Sequence, residues 1–213
     1  MSWLGSHLGE IFQLAWQHAW LAGLPLLVGL AIALPLGWFA SRNTRAYVAL
    51  VTSAGLLYTI PSLALFVLMP LIIGTRILDP VNVVVAMTIY TVALLVRVVA
   101  DGLQSVPDDV RSAARAMGFG VVRRLVMVDL PLGVPVIASG LRVAAVSNVS
   151  IVSVASLIGT HQLGDLLVDG FNRAFAPPLV TGIVGCLLLA LLFDGVIVWG
   201  ARVLTPWLRG GTA

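Results

Sequence analysis

The sequence predicts an all-α polytopic membrane protein with five membrane-crossing helices and one polar insert between the third and the fourth. Three observations carry this. Of 213 residues, 60% are hydrophobic and only 10% charged, with a mean hydropathy of +1.06; soluble domains carry about a quarter charged residues. Five apolar segments match the roughly 20 residues that a helix needs to cross the hydrocarbon core. No series of short alternating strands is present, so backbone groups in lipid are satisfied within helices and not around a barrel. The length fits one membrane domain, residues 20–213, and leaves no room for a soluble one.

Residues 1–19 come first. Ile11, Phe12, Leu14, Ala15 and Trp16 stand among His7, Gln13, Gln17 and His18. That pattern predicts an interfacial helix on the outer face, with Trp3, Trp16 and Trp20 as headgroup anchors. No basic n-region opens the chain, so a cleaved signal peptide is not expected. His7 and His18 are isolated and do not read as metal ligands. The five spans follow at residues 20–40, 47–73, 81–100, 132–158 and 179–201. The fourth is long and rich in Gly and Ser, which marks it as the one most prone to a break. Pro61 is expected to bend the second. Residues 161–175 carry Leu163, Leu166, Leu167, Phe171 and Phe175 at helical spacing, which predicts a short amphipathic helix lying on the outer face. Pro177 and Pro178 punctuate the start of the fifth span.

Arg residues set the orientation. Arg42 and Arg45 follow span one; Arg111, Arg115, Arg123 and Arg124 lie between spans three and four; Arg202 and Arg209 follow span five. Arg76 and Arg173 alone lie on the other side. The positive-inside rule puts the N-terminus outside and the C-terminus in the cytoplasm. A pI of 9.8 therefore reflects topology and lipid contact, and no nucleic-acid partner is expected. The single Cys186 lies in an apolar run, which excludes an internal disulfide.

The polar insert, residues 101–131, reads as two short helices and a turn. Pro107 suits a helix start, and Asp108 and Asp109 complement the dipole in its first turn. Arg111, Ala113, Ala114 and Met117 continue the helix, and Gly118 ends it. Val121, Val122, Leu125 and Val126 give a second amphipathic stretch with Arg123 and Arg124 on its wet face. Pro131 and Pro135 mark the return to lipid. The small residues Ala113, Ala114, Ala116 and Gly118 present a thin face able to enter a groove on another protein. An ordinary surface helix of the loop is the competing reading.

Charges and polar residues inside the spans need partners. Arg97 sits near the inner end of span three and can snorkel. A central charge costs roughly 2.5–3.5 kcal/mol on insertion scales, so Arg142 and Asp194 are a possible intramembrane pair bracing spans four and five. The other reading starts span four later and puts Arg142 among headgroups. Tyr58, Pro61 and Ser62 in span two, with Asn148, Ser150 and Ser153 in span four, are candidates for a translocation pathway; close helix packing accounts for the same residue types. No aromatic cage dense enough to hold a quaternary ammonium stands out.

Ser112-Ala113-Ala114-Arg115-Ala116-Met117-Gly118, followed ten residues on by Val128-Asp129-Leu130-Pro131, resembles the EAA loop of ABC importer permeases with the MetI-like fold. Residues 131–142, residues 18–37 ending Leu34-Pro35-Leu36-Gly37, Ile60-Pro61-Ser62-Leu63-Ala64-Leu65 and Leu163-Gly164-Asp165 look like the branch for glycine betaine, choline and carnitine. The resemblance covers nearly the whole chain after the N-terminal helix. It implies a multi-pass permease in a bacterial inner membrane, working as a homo- or heterodimer. Cytoplasmic ABC ATPase subunits would dock on the insert through Asp109, Arg111, Ser112, Ala113, Ala114, Arg115, Met117 and Gly118. A substrate-binding protein would dock outside. One departure stands out: the family usually has Glu where this chain has Ser112, so Asp108, Asp109 or a second permease would supply the acid. No cofactor is expected on this chain. It lacks a GxxxxGK[ST] loop and a nucleophile–base constellation, so ATP belongs to the partner subunit and the chain is not itself an enzyme. The alternatives are a permease for another small solute such as an amino acid, or a secondary transporter, for which the required inverted repeats and paired coupling charges are not seen.

Overall fold

The computed structural model describes residues 2–209, and α-helix dominates them. In order they are α1 (Ser2–Ser6), α2 (Leu8–Arg42), α3 (Thr44–Tyr58), α4 (Ser62–Ile73), α5 (Pro80–Gln104), α6 (Asp108–Ala116), α7 (Val121–Arg124), α8 (Leu130–Ser153), α9 (Gly164–Asn172) and α10 (Ala176–Leu204). A π-helical turn, Leu125–Asp129, joins α7 to α8, and a 3-10 turn, Val154–Ile158, follows α8. Four stretches are long and apolar enough to cross a membrane, and the bent pair α3 and α4, counted as one, makes a fifth candidate. The expected five-span, all-helical class is the observed one.

Local sequence explains the boundaries. The Asn43 side chain accepts hydrogen bonds from the Arg45 and Ala46 amides and so starts α3. Asp79 accepts from the Val81 amide at 2.9 Å, with Pro80 in the first turn, and starts α5. Gly118 has φ +80°, a left-handed conformation that ends the insert helix at little cost in glycine.

Helix α5 is the centre of the bundle. Its buried residues run from Asn82 to Leu103, and α2, α3 and α8 pack around it. Phe66, Met87, Tyr90, Val149 and Leu163 build one apolar core toward its N-terminal end. Leu26, Leu95, Val99, Leu103 and Ile137 build a second toward its C-terminal end. Helix α10 packs on α8 and α9 but keeps Leu187, Leu188, Leu191 and Leu192 exposed, which is the face a lipid-bathed outer helix presents. Helices α5 and α8 approach closely at Gly140: a Cβ built there would lie 2.3 Å from Val98 Cγ1. Val is stiff at χ1 and cannot swing aside. Gly140→Leu is expected to cost about 1–3 kcal/mol through overpacking, read as a lower melting midpoint in detergent.

The structure departs from these expectations at the N-terminus and around span four. Residues 8–19 are not a separate interfacial helix; they run without a break into α2, 35 residues long, or about 52 Å at 1.5 Å per residue. The polar His18, which looked like part of a wet face, is fully buried and satisfied inside the bundle. Trp3 packs against His7 and edge-on to Phe175, while Trp16 and Trp20 do point outward. Span two bends where Pro61 stands, as expected, and the bend is a full break: α3 and α4 meet at 102° across Thr59, Ile60 and Pro61. Span four, the expected weak point, is a continuous helical run, Val121–Ile158. The helical run that contains it therefore begins ten residues before Pro131, so the second half of the expected insert is continuous with the helix of span four. The π turn explains how: the Leu130 amide reaches back to the Leu125 carbonyl, so the register has already widened where Pro131 withdraws its donor. Finally, the helix after span four is amphipathic, with one face set into the core and Phe171 exposed at 77% on the other. Leu163 and Leu166 on α9 and its approach are buried in the core.

Candidate functional site

The insert helix α6 has two faces. Arg111 and Ala114, three apart, turn inward, and Ala114 is buried. Asp109, Ser112, Ala113, Arg115, Met117 and Gly118 are exposed. Their side chains are small apart from Arg115 and Met117, so the outward face is thin. Arg115 Nη2 donates to Ser112 Oγ at 2.9 Å, so Ser112 is tied to its own helix. Asp108 lies at the start of the helix with its side chain 94% exposed, 3.5 Å from Arg111. An acid is therefore available at the edge of this face, although not at position 112.

Beneath α6 lies a cluster that sequence reasoning missed. Asp129, in the π turn, is buried. Arg124 Nε donates to its Oδ2 at 3.2 Å, and Arg111 Nε lies 3.6 Å from its Oδ1. Arg111 Nη2 also donates to the Leu103 carbonyl at the end of α5. Arg111 is thus an internal tie of the insert and not part of its open face. The available signal was an acid flanked by Val128 and Leu130 with basic residues close by in sequence, a combination that in an apolar setting asks for a paired charge.

The pathway candidates divide. Tyr58, Pro61 and Ser62 lie at or beside the break in span two, with Tyr58 and Pro61 exposed and Ser62 half-buried. Tyr58 meets Tyr90 edge-on, rings 5.6 Å apart. The Tyr90 hydroxyl donates to the Ile60 carbonyl, a group that the break releases from helical bonding. Ser150 is exposed and Ser153 half-buried, with Ser153 Oγ donating to the Ser150 carbonyl at 2.6 Å. Asn148 faces no open surface. It is buried and donates to Thr91 Oγ1 at 2.9 Å and to the Ala22 carbonyl at 3.3 Å, locking α8 to α5 and α2. Buried polar groups of this kind are structural ties.

A second tie lies close by. His18 Nδ1 is 2.8 Å from Gln162 Oε1, and its Nε2 is 2.9 Å from the Val149 carbonyl oxygen. Gln162 Oε1 also accepts from the Gly164 amide at 2.6 Å, and its Nε2 donates to the Ser153 carbonyl at 3.1 Å. These bonds fix which way the amide points. His18 therefore joins α2 to α8 and to the segment leading into α9. Next to this tie, a cleft of 380 Å³ opens among Gln17, Trp20, Leu78, Gly159, Thr160 and His161.

Arg142 and Asp194 are in contact. Arg142 Nε donates to Asp194 Oδ1 at 2.5 Å and Nη2 to Oδ2 at 3.0 Å, a two-pronged bond between α8 and α10. Arg97 pairs with Asp101 one turn on at 3.5 Å, and the Tyr47 hydroxyl donates to the same carboxylate at 2.7 Å. Among the described residues no three His, Cys, Asp or Glu side chains gather to hold a metal ion.

The model of the family described as the binding-protein-dependent transport system inner membrane component matches residues 26–209. The chain is similar to the osmoprotectant import permease protein OsmW of Salmonella typhimurium, 35% identical over 93% of both chains. It is 27% identical to the carnitine transport permease protein OpuCD of Listeria monocytogenes, over 95% of this chain and 88% of that one. It is 26% identical to the choline transport system permease protein OpuBB of Bacillus subtilis, over 93% of this chain and 90% of that one. Among solved structures, an inward-facing methionine ABC transporter, MetNI, superposes with a TM-score of 0.83 at 20% identity, covering 94% of this chain and 98% of that one. That likeness is one of fold, and the fold is MetI-like.

Proposed function

We propose, from the premise that this chain belongs to the family of binding-protein-dependent transport system inner membrane components, that it is the permease subunit of an ATP-driven importer for quaternary-amine osmoprotectants. The observation that carries the solute class is the set of end-to-end relatives named for osmoprotectant, carnitine and choline transport. In this reading the chain sits in the bacterial inner membrane with its N-terminus outside and its C-terminus in the cytoplasm. The Arg distribution supports that orientation. Two copies, or this chain and a related one, form the translocation unit. Each offers α6 to a cytoplasmic ATPase subunit, which binds and hydrolyses ATP; this chain supplies no catalysis.

The exposed small-residue face of α6 supports groove docking. The exposed residues at the break of span two, Tyr58 and Pro61, line the route between the permease copies, together with Ser62, Ser150 and Ser153. A binding protein docks outside, near the loop after span two and the helix of residues 161–175, and delivers selected solute there. That division of labour accounts for a pathway without an aromatic cage.

Reconstitution with its ATPase and binding protein tests the reading. Radiolabelled glycine betaine uptake should require ATP. It should be lost in Gly118→Trp, where a bulky side chain meets both the left-handed backbone and the docking groove, while membrane insertion is unchanged. ATP-dependent uptake of an amino acid in place of betaine would move the solute class and keep the importer. Failure to bind any ATPase would sink the reading.

A further inference from the structure

The link between α6 and span four is unbraced along the chain and is bridged across space by side chains. Along the chain it runs through Met117, Gly118, Phe119 and Gly120. A Cβ built at Gly118 or Gly120 would meet nothing within 4 Å, so neighbouring atoms do not brace this link. Across space, Ala114 is buried but too short to act as a lever. The longer arm is Arg111, which reaches Asp129 at the base of span four and the Leu103 carbonyl at the end of span three.

The Asp129 carboxylate is held unequally. Arg124 belongs to the same helical run and bonds Oδ2 at 3.2 Å, so this contact fixes the carboxylate and moves with it. Arg111 comes from a different element and stops 3.6 Å from Oδ1. Arg111 Nε and Asp129 Oδ1 are both buried and neither has a hydrogen-bond partner among the described residues. Buried polar atoms left this way are rare and costly. From 3.6 Å, a shortening of about 0.6 Å would give an ordinary charge-assisted hydrogen bond. The contact is therefore one small movement of α6 away from closing, in a site screened from water where charge interactions act strongly.

We propose that Asp129 is a positioning residue for transport, carrying movement of the docking helix into span four, with Arg111 as the moving arm and Arg124 as the fixed one. This rests on the reading of α6 as the ATPase-docking helix. ATP-driven displacement of α6 closes the Arg111–Asp129 contact, and the continuous helical run Val121–Ile158 then moves with it.

The test reads movement at the far end of that run and needs no solute. In a Cys186→Ala background, Leu157→Cys places a thiol at an exposed position after α8. Its maleimide labelling rate is measured in the complex with the ATPase, with and without ATP and vanadate. The rate should change with nucleotide. Asp129→Asn keeps the shape and removes the charge; it should shrink that change roughly tenfold while bound ATPase goes on hydrolysing ATP. Asp129→Glu should restore most of it, a recovery that a purely structural role would not require. Should Asp129→Asn fail to fold, Arg111→Gln leaves the Asp129–Arg124 pair in place and should show the same loss. A full nucleotide response in either charge-removing variant overturns the inference and leaves docking on α6 intact. A wild-type complex that labels identically in both states overturns it as well. A chain that binds no ATPase removes the docking reading and this inference together.

Discussion

Gln162→Leu is expected to unfold much of the protein in detergent. Gln162 is fully buried and meets three partners: it accepts from the Gly164 amide, donates to the Ser153 carbonyl, and places its Oε1 2.8 Å from His18 Nδ1. Leu fills similar space but leaves the Gly164 amide as a buried donor without its partner and removes the polar contact of the His18 ring. Such an orphan costs about 1–3 kcal/mol, a large part of the margin by which domains stay folded. His18→Leu should cost less, because Gln162 keeps Gly164 and Ser153 and no backbone donor is stranded. The double variant should cost less than the sum of the two, since both single changes remove the same His18–Gln162 bond. Melting midpoints of the three variants in one detergent settle it. Unchanged stability for Gln162→Leu, or strict additivity, would mean that this network does not tie α2, α8 and the start of α9 together.

The same residues show why part of the fold was legible in the sequence and part was not. Apolar run length is a strong signal, so a helix was expected at each apolar segment and one is there, although α2 starts at Leu8 and the run of span four at Val121, each well before the expected start. Span three was expected at residues 81–100 and is seen as Pro80–Gln104. Pro107 and Gly118 act through backbone chemistry of their own, so the ends of the insert helix could be read directly. Periodicity, by contrast, says that one face of residues 8–19 is polar but not what covers it. His18 needed Gln162, 144 positions away, to become a core residue, and no local pattern carries that.

Breaks were harder still. Gly and Ser in span four read as weakness, yet Gly140 marks a close crossing with α5, and close crossings stiffen a bundle. Pro61 did signal the bend in span two, but the 102° angle depends on Tyr90 capping the freed Ile60 carbonyl from another helix. Asp129 was quoted in the sequence as part of a spacing pattern and not weighed as a charge. Its two arginine partners converge only because the π turn rotates it toward both.

Asp194→Asn is expected to abolish most of the folded, membrane-inserted yield, because it leaves the Arg142 guanidinium alone within a span. Arg142 lies twelve residues into α8 from Leu130, so its side chain has a long way to snorkel, and an unpaired charge at depth in lipid is disfavoured. In the native arrangement both guanidinium bonds end on Asp194, and α10 has few buried residues of its own: Pro178, Gly182 and Leu189. The pair is therefore a substantial share of what fixes the middle of α10 against α8. Two further variants separate a brace from a transport role. The exchange Arg142→Asp with Asp194→Arg keeps one charge of each sign and should recover part of the yield. Replacing both with Leu removes the charges from the span altogether and should fold at least as well as the single variant, as apolar substitutes for ion pairs often do. If the Leu pair folds and still moves solute, the salt bridge is a brace alone. If it folds and uptake is lost, the charges act in the transport cycle. Full folded yield for Asp194→Asn would remove the brace, since α10 would then be held by packing without the pair.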